Sequence, residues 1–521
     1  MSDTIGLERT PVEQASSRMA MNWVNGAWVD AATRSDSYDP ATGERIGTFA
    51  HAVRADAEVA VQAAVRAFKS SDWKGNRRLR AKVLNQLADR FEARREDLIG
   101  ILSLENGKVR GEAAFEVDMI PSKFRYWASV VLTDYGRALE VLPGHFSVVT
   151  RSAIGVAGII APFNSPLVLT VRSLAPALAA GVTTVIKLPG NTAQTNFLFS
   201  KVLAEAVDLP KGVINVISGS GGGGAEFLVE SKDVRIVSFT GSTKTGKTIS
   251  GAGAPTLKLF QTELGGKTPM IIFEDADLAA AAPKVEKALT TFAGQFCMTG
   301  SRLLVQRAVA EQFRKLMTKR LQDVKTAPAS DPSSDMGPLI DKANVSRVDK
   351  MVEEAIAAGA KVLVRGGPIT EGPLAAGAFY RPTLLEVTDS KMTIVQEEIF
   401  GPVLTMQVFD TEAEAVALAN DSEYGLAASI WTRDVDRPLR VARELDAGTV
   451  WINDWAVVWD EFEEGGFKRS GNGRLNGLTA INDFLEYKHI AFNSGTIADI
   501  DASSIALSQK SAALPTIRSN R

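Results

Sequence analysis

The chain has 521 residues, of which 45% are hydrophobic and 23% charged. These values lie near the average for soluble globular proteins, so large cores are available and global disorder is excluded; the length allows two to four domains. Lys plus Arg is 58 and Asp plus Glu is 61, a net charge of −3, which gives no reason to expect nucleic-acid or membrane-surface partners. No stretch reaches the ~18–20 uninterrupted apolar residues of a membrane helix. The opening MSDTIGLERTPVEQ is polar and acidic, unlike a secretory signal. A single cysteine, Cys297, leaves no intrachain disulfide and points to a reducing, cytoplasmic location. His51, His145 and His489 stand in unrelated contexts, so neither a His-rich metal site nor a Ser-His-Asp hydrolase is expected.

In chain order, residues 1–18 read as a loose arm. MNWVNGAWVDAA then alternates as a hairpin, with Asn25-Gly26 as its turn. From Asp56 to Ala113 apolar residues recur three or four apart, first in AEVAVQAAVRAFKSSDW and then in RRLRAKVLNQLADRFEARREDLIGILSLENGK, which predicts amphipathic helices. After Ser152 short apolar runs (AIGVAGIIAP, GVTTVIKLPG, GVINVISG, VRIVSFTGS) alternate with helical patterns such as NFLFSKVLAEAVDL. That alternation predicts βαβ units and a mostly parallel sheet. A second such series follows Gly266, in TPMIIFE, VEKALTTFAG, SRLLVQ, VSRVDKMVEEAIAAG and AKVLVRGG. Two α/β units therefore adjoin near residue 265. DPSSDMGPLIDKANV reads as a surface loop inside the second, and the polar end of the chain as a tail or an arm on a partner subunit.

Three pieces carry candidate chemistry. Cys297, in TFAGQFCMTGSR, is by default a small buried hydrophobe; the functional alternative is a thiolate whose pKa is lowered by backbone N–H groups or dipoles. Glu263, in TELGGKTP, is by default a solvated carboxylate at a strand end, but Gly265-Gly266 after it argue for tight backbone passage. Asn164, in IIAPFNSPL, is either a turn asparagine or an amide donor fixed between Pro162 and Pro166 and aimed at a developing oxyanion. Two glycine loops also match phosphate-binding patterns. Gly219 to Gly224 fits G-x-G-x-x-G in a run so rich in glycine that the match is nearly trivial, and Gly241 to Thr248 fits G-x-x-x-x-G-K-[ST]. The second is either a chance match or a helix N-terminus open to an anion.

Together these pieces resemble the NAD(P)-dependent aldehyde dehydrogenase superfamily, from Trp23 to Phe492. The marks are ENGK at 105–108, PFN at 162–164, Lys187, FTGST at 239–243, ELGGK at 263–267, GQFC at 294–297, EEIFGPV at 397–403, YGLAA at 424–428 and GGFKRSGNG at 465–473. The steps of 34 residues from Glu263 to Cys297 and 133 from Asn164 to Cys297 are also usual in that family. The resemblance implies that Cys297 attacks the aldehyde carbon, that the Asn164 amide and the Cys297 backbone N–H hold the oxyanion, and that Glu263 activates water to release the acyl group. It implies NAD or NADP as cofactor, NAD favoured, with Lys187 on the adenosine ribose, Gly241 and Ser242 at the pyrophosphate, Glu398 on the nicotinamide ribose, and Phe400 and Phe163 beside it. FTGST is then the family's pyrophosphate turn and the Lys247-Thr248 match is incidental. No metal is implied.

Four departures from the family pattern bear on specificity. Ser165 replaces an aromatic residue and Phe163 a tryptophan, opening space beside Asn164. Gly190 stands where a glutamate often grips the adenosine 2′-OH, so NADP is allowed. Glu463 and Glu464 replace an apolar pair, either to favour a cationic aldehyde or as a solvated face. Arg172 is either a carboxylate or phenolic clamp or half of a structural ion pair. With Val168, Phe296, Met298, Trp455, Val458 and Trp459 these residues map around a roomy, partly aromatic substrate tunnel, which leans to an aromatic or bulky aldehyde. Alternatives are a semialdehyde, aminoaldehyde or betaine aldehyde dehydrogenase, a CoA-acylating or phosphorylating relative, and a non-catalytic scaffold.

By the same resemblance the fold is α/β: a Rossmann-type cofactor domain (20–131 and 154–264), an α/β catalytic domain (265–460), a small β oligomerisation flap (132–153 and 475–492) that holds His489, and a C-terminal extension (493–521). The implied partners are a small-molecule aldehyde and copies of the same chain, as a homodimer or dimer of dimers.

Overall fold

The computed structural model describes residues 19–496; the N-terminal arm and most of the C-terminal extension lie outside the described residues. The first large sheet has five parallel strands at its centre, in the spatial order Leu259–Glu263, Val234–Thr240, Val156–Ile160, Thr183–Pro189, Ile214–Gly219. The apolar runs after Ser152 form four of these five strands. They are apolar throughout because helices cover both faces of the sheet. The connections change direction between Val156–Ile160 and Val234–Thr240. In a doubly wound sheet that switch point opens a crevice at the carboxyl ends of the strands, where ligands bind. The hairpin Asn22–Val24 and Ala27–Val29 extends one edge through Trp23 opposite Val216. Its turn is made by Asn25 and Gly26 at φ 54° and 74°. At the other edge Gly471–Asn472 pairs antiparallel with Leu259–Glu263.

The helix Pro166–Ala180 is buried along its whole length. Proline in its first turn needs no intrahelical N–H partner, and Gly181, left-handed at φ 90°, ends it. The helical region expected over 56–113 resolves into Arg54–Ser70, Arg77–Ala93, Arg95–Asn106 and Arg110–Thr133. The second expected run breaks at Arg94, and the last helix continues 20 residues past Ala113 because Val117, Ile120, Phe124, Trp127 and Val131 prolong its buried stripe.

The second large sheet has the order Lys361–Val364, Thr383–Glu386, Val403–Phe409, Arg302–Gln306, Pro269–Ile272, Ala427–Trp431, Thr449–Ile452, all parallel except the first pair. The expected surface loop 331–345 is only partly one: Met336–Ile340 is buried, and Met336 and Leu339 join the core around Val348 and Ile399. A small antiparallel sheet of Arg137–Leu142, His145–Ala153 and Leu485–Asn493 projects as a flap, with the Phe146 and Phe492 rings stacked at 5.2 Å. His489 lies on it, its Nε2 3.1 Å from Ser147 Oγ. The preceding turn, Leu478–Phe484, instead buries Ala480, Ile481 and Phe484 in the core of the first unit. Among the described residues no helix is long and apolar enough to cross a membrane.

Candidate active site

The switch-point crevice is a cavity of about 650 Å³ that brings Asn164, Glu263 and Cys297 together with Phe163, Lys187, Gly241, Ser242, Glu398 and Phe400. Cys297 is delivered by an unusual loop. The helix Leu278–Thr290 is followed by Phe292, Ala293 and Gly294, all left-handed at φ 55°, 54° and 73°. Two of the three are not glycine, so the turn is strained, which is typical of functional sites. A Cβ on Gly294 would collide with the Gly401–Pro402 backbone. The loop is pinned by Gln295, which donates to the Phe292 carbonyl at 3.0 Å and accepts from the Ile340 N–H at 3.0 Å.

The paired glycines after Glu263 have separate reasons. A Cβ on Gly265 would overlap the Glu398 carboxylate, and one on Gly266 would overlap the Cys297 carbonyl. The Gly266 N–H donates to Glu398 Oε1 at 3.2 Å. The Glu398 carboxylate and the Cys297 carbonyl thus close on the same dipeptide.

Burial sets the electrostatics. Glu263 is 1% exposed and neither carboxylate oxygen has a hydrogen-bond partner. Desolvation raises its pKa to about 8, with Arg172 opposing and Glu464 adding to the shift. Cys297 is half-buried. Desolvation and then Glu263 push its thiol pKa well above the ordinary value, while Arg172 pulls it down. Glu398 is raised to about 7 by burial against the Gly266 N–H and Lys267, and Lys187 is lowered to about 8 by burial.

The crevice fits a dinucleotide. Ser242 caps the helix Thr243–Gly253, its Oγ accepting from the Thr245 N–H at 3.2 Å, so a helix N-terminus faces the cavity. A Cβ on Gly241 would strike the Phe239 ring. The Phe163 and Phe400 rings meet edge to face at 5.9 Å. Thr248, the last residue of the P-loop pattern, is exposed and its hydroxyl is spent on the Lys244 carbonyl at 3.1 Å. Gly190 does not line the crevice; a Cβ there would overlap Ser220 Oγ and the Phe49 ring.

A smaller cavity adjoins on the other side, lined by Val168, Arg172, Phe296, Met298, Val458 and Glu464 among others. Trp455 stands behind it, edge-on to Phe296 at 5.8 Å and donating to the Met298 carbonyl at 2.9 Å. Trp459 does not belong to that lining: it is 62% exposed. Glu464 is no part of a solvated face. It is buried, with Oε1 2.6 Å from Arg172 Nη1 and Oε2 accepting from Asn476 Nδ2 at 2.9 Å. Glu463 is exposed and accepts from the Thr479 N–H at 3.2 Å. Arg172 also reaches Thr240 Oγ1 at 3.3 Å, and its Nε has no partner. Burial opposes its charge, but Glu464, Glu263 and Cys297 together hold its pKa above the ordinary arginine value.

Sequence reasoning passed over the support beneath this cavity. Buried Lys108 pairs with Glu116, donates to Ser165 Oγ at 3.1 Å and lies 3.7 Å from the Phe292 ring centroid. Glu116 accepts the Leu167 N–H at 2.9 Å, capping the helix that carries Arg172. Arg347, which lines the dinucleotide crevice, was also passed over. The ENGK mark contained Lys108; nothing local signals Glu116 or Arg347.

A strained cysteine loop, an enclosed carboxylate and a dinucleotide crevice define an oxidoreductase that works through a thiol. The chain belongs to the aldehyde dehydrogenase family, whose sequence profile matches residues 28–490, and it is an NAD(P)-dependent enzyme of that family. It is 39% identical over 477 residues to betaine aldehyde dehydrogenase of Bacillus subtilis, covering 91% of this chain and 97% of the relative. It is 37% identical over 477 residues to 2-aminomuconic semialdehyde dehydrogenase of Danio rerio, covering 90% and 97%. The crystal structure of betaine aldehyde dehydrogenase from Staphylococcus aureus in complex with NAD+ superposes with a TM-score of 0.91 at 35% identity, over 93% of this chain and 97% of that one.

Proposed function

We propose that this enzyme uses NAD+ to oxidise a semialdehyde, an aldehyde whose far end carries a carboxylate or a comparable hydrogen-bond acceptor. The observation that carries this reading is the imbalance in the substrate cavity. Both Glu464 oxygens are used, by Arg172 and Asn476, whereas Arg172 keeps a buried Nε–H without a partner. What the cavity has left to offer is a cationic donor. The relatives named for betaine aldehyde and 2-aminomuconic semialdehyde favour a polar substrate over the aromatic one suggested by Phe296 and the tryptophans. A cationic aldehyde is the second reading, favoured by the Glu464 carboxylate and by the betaine aldehyde relatives.

Cys297 adds to the aldehyde carbon to give a thiohemiacetal, and the Asn164 amide with the Cys297 N–H holds the oxyanion. Loss of a hydride from that carbon, for which bound NAD+ would be the acceptor, leaves the thioester, and the relatives crystallised with NAD+ support that form of the cofactor. Lys187 would hold its adenosine ribose, the Ser242 helix terminus its pyrophosphate, and Glu398 and Phe400 its nicotinamide ribose. Glu263, close to neutrality because it is desolvated, takes a proton from water as that water cleaves the thioester. An intact base at this position argues against a CoA-acylating relative, since hydrolysis would compete. We also infer the domain division set out above and a homo-oligomer joined through the flap, whose edge strand Arg137–Leu142 exposes Leu139, Val141 and Leu142.

The test is initial rates of NADH and NADPH formation with succinic semialdehyde, an aminoaldehyde, betaine aldehyde, benzaldehyde and a short aliphatic aldehyde. The highest kcat/KM is expected for the semialdehyde with NAD+. A preference for betaine aldehyde transfers specificity to Glu464, and a preference for benzaldehyde refutes the polar reading.

A further inference from the structure

At the root of the flap lies a separate cavity of about 390 Å³, walled by core helices on one side and by flap strands on the other. It shares no lining residue with the catalytic crevice. Its charged lining is one-sided: Lys74, Arg77, Arg80, Arg151 and Lys488 face a single carboxylate, Asp134. Five cations less one carboxylate leave a charge of +4. Asp134 is already committed, paired with Arg151 and 3.8 Å from Arg77 Nη2. Among the described residues Lys74, Arg80 and Lys488 make no ion pair.

Arg80 decides the case. It is 4% exposed, and its Nη1 donates to the Trp73 and Lys74 carbonyls at 2.9 and 2.8 Å, but its Nε has no partner. The Arg151 Nε is also buried without one. Burial, and then Arg77, lower the Arg80 pKa to about 10. A buried guanidinium without an anion is costly. The C-terminal turn of the helix Pro166–Ala180 places Ala179 and Ala180 in the wall, and such a terminus supplies about half a negative charge. That leaves most of the +4 uncompensated.

We propose that this cavity binds a small, multiply charged anion of the phosphate or polycarboxylate class, at a site distinct from the dinucleotide crevice. Planar guanidinium groups suit either chemistry, because both present paired oxygens to the fork of N–H donors. The ligand would bridge the core helices at Lys74–Arg80 and Asp134 to the flap at Arg151 and Lys488, and so fasten the flap to the body.

The test uses the full chain saturated with NAD+, so that the pyrophosphate-binding face of the crevice is already filled. Pyrophosphate and citrate are titrated separately at constant ionic strength, with calorimetric binding and melting temperature as readouts. Substituting Arg80 would strand two carbonyls and confuse folding with binding, so the variant is K74E/K488E, with both changes at the rim. Wild type is expected to bind at least one probe saturably, with a rise of several degrees in Tm. The variant is expected to bind at least tenfold more weakly at unchanged turnover. Preference for pyrophosphate or for citrate identifies the chemistry as phosphate or polycarboxylate. Equal effects on both proteins, or no saturable binding to the wild type, would overturn the proposal.

Discussion

Removing Arg172 alone should harm the enzyme far more than removing it together with Glu464. The pair is close, 2.6 Å, and its side chains are 3% and 9% exposed. In Arg172→Met the Glu464 carboxylate stays enclosed with only Asn476 as a donor, and breaking one side of a buried pair costs about 3–5 kcal/mol. A chain of this length unfolds with an entropy of about 1.1 kcal/mol/K if it melts as one unit, so Tm should fall by about 3–5 °C. In R172M/E464M both charges go and two methionines fill the space. Asn476 Nδ2 and Thr240 Oγ1 then lose a partner each, at about 1 kcal/mol apiece, which places the double variant within about 2 °C of wild type. The assay is differential scanning calorimetry at one scan rate and one protein concentration, because melting of a large chain is rate-dependent. Should R172M melt within about 1 °C of wild type, or the double variant fall by the sum of the singles, the pair is not in a dry environment. Glu464 is then not spent on Arg172. In the same R172M protein the uncompensated carboxylate should shift kcat/KM from semialdehydes towards betaine aldehyde.

Substitutions at four further positions test the site. Cys297→Ala abolishes turnover while NAD+ still binds, as followed by fluorescence titration. Glu263→Gln retains a burst of NADH with slow steady-state turnover in stopped flow. Wild-type deacylation rises with pH to a plateau above about 8 as Glu263 loses its proton, and the variant lacks that rise. Because the folded protein holds that proton from the ordinary carboxylate value up to about 8, Glu263 makes wild-type stability fall as pH rises across that window; Glu263→Gln should not show this loss. Gly266→Ala pushes the Cys297 carbonyl aside and lowers kcat on the order of 10²-fold, with cofactor affinity little changed. Gly190→Glu weakens NAD+ binding instead of improving it, because its Cβ meets Ser220 and Phe49, and Ser220→Gly in the same chain recovers part of the loss.

What was legible in the sequence was local. A strand that must lie between helix layers is apolar along its length, so the runs after Ser152 could be read as a parallel sheet, and Asn25-Gly26 as a turn. Glycine pairs advertise close approach, so Gly265-Gly266 could be read as tight passage although the two obstacles, Glu398 and the Cys297 carbonyl, could not be named. The illegible part was set by distance along the chain. Arg172 and Glu464 are 292 residues apart, and neither shows in its own segment that it pairs with the other. Glu116 caps a helix 51 residues later, and its own helix offers no hint. Trp459 failed for a different reason: aromatic residues near a tunnel in sequence register need not face it, and the loop turns this one to the surface. Met336–Ile340 lies in a polar-looking stretch, yet a short apolar group buried by a neighbouring helix leaves no periodic signal to read.

The ionisable groups of the crevice share one cause and so act together. Glu263 and Glu398 are raised to about 8 and about 7 and Lys187 is lowered to about 8, while buried Lys267, which lies outside the lining but interacts with Glu398, is lowered to about 7. Acids shifted up and bases shifted down in one place mean that desolvation outweighs pairing. Lys267, whose Nζ has no hydrogen-bond partner, and Glu398 each partly offset the other's shift. The resting site therefore carries less charge than its composition suggests. Desolvation and the neighbouring Glu263 both favour the thiol over the thiolate at half-buried Cys297. Arg172, in the adjoining cavity, lowers the pKa of both Cys297 and Glu263. A substrate acceptor that engaged its Nε–H would draw on the guanidinium that stabilises the thiolate. Under the proposed semialdehyde reading substrate recognition and nucleophile activation meet at one residue, and Arg172→Met should raise the kinetic pKa of the acylation burst as well as alter specificity. A burst profile unchanged in pH by that substitution would separate the two roles and confine Arg172 to its pair with Glu464.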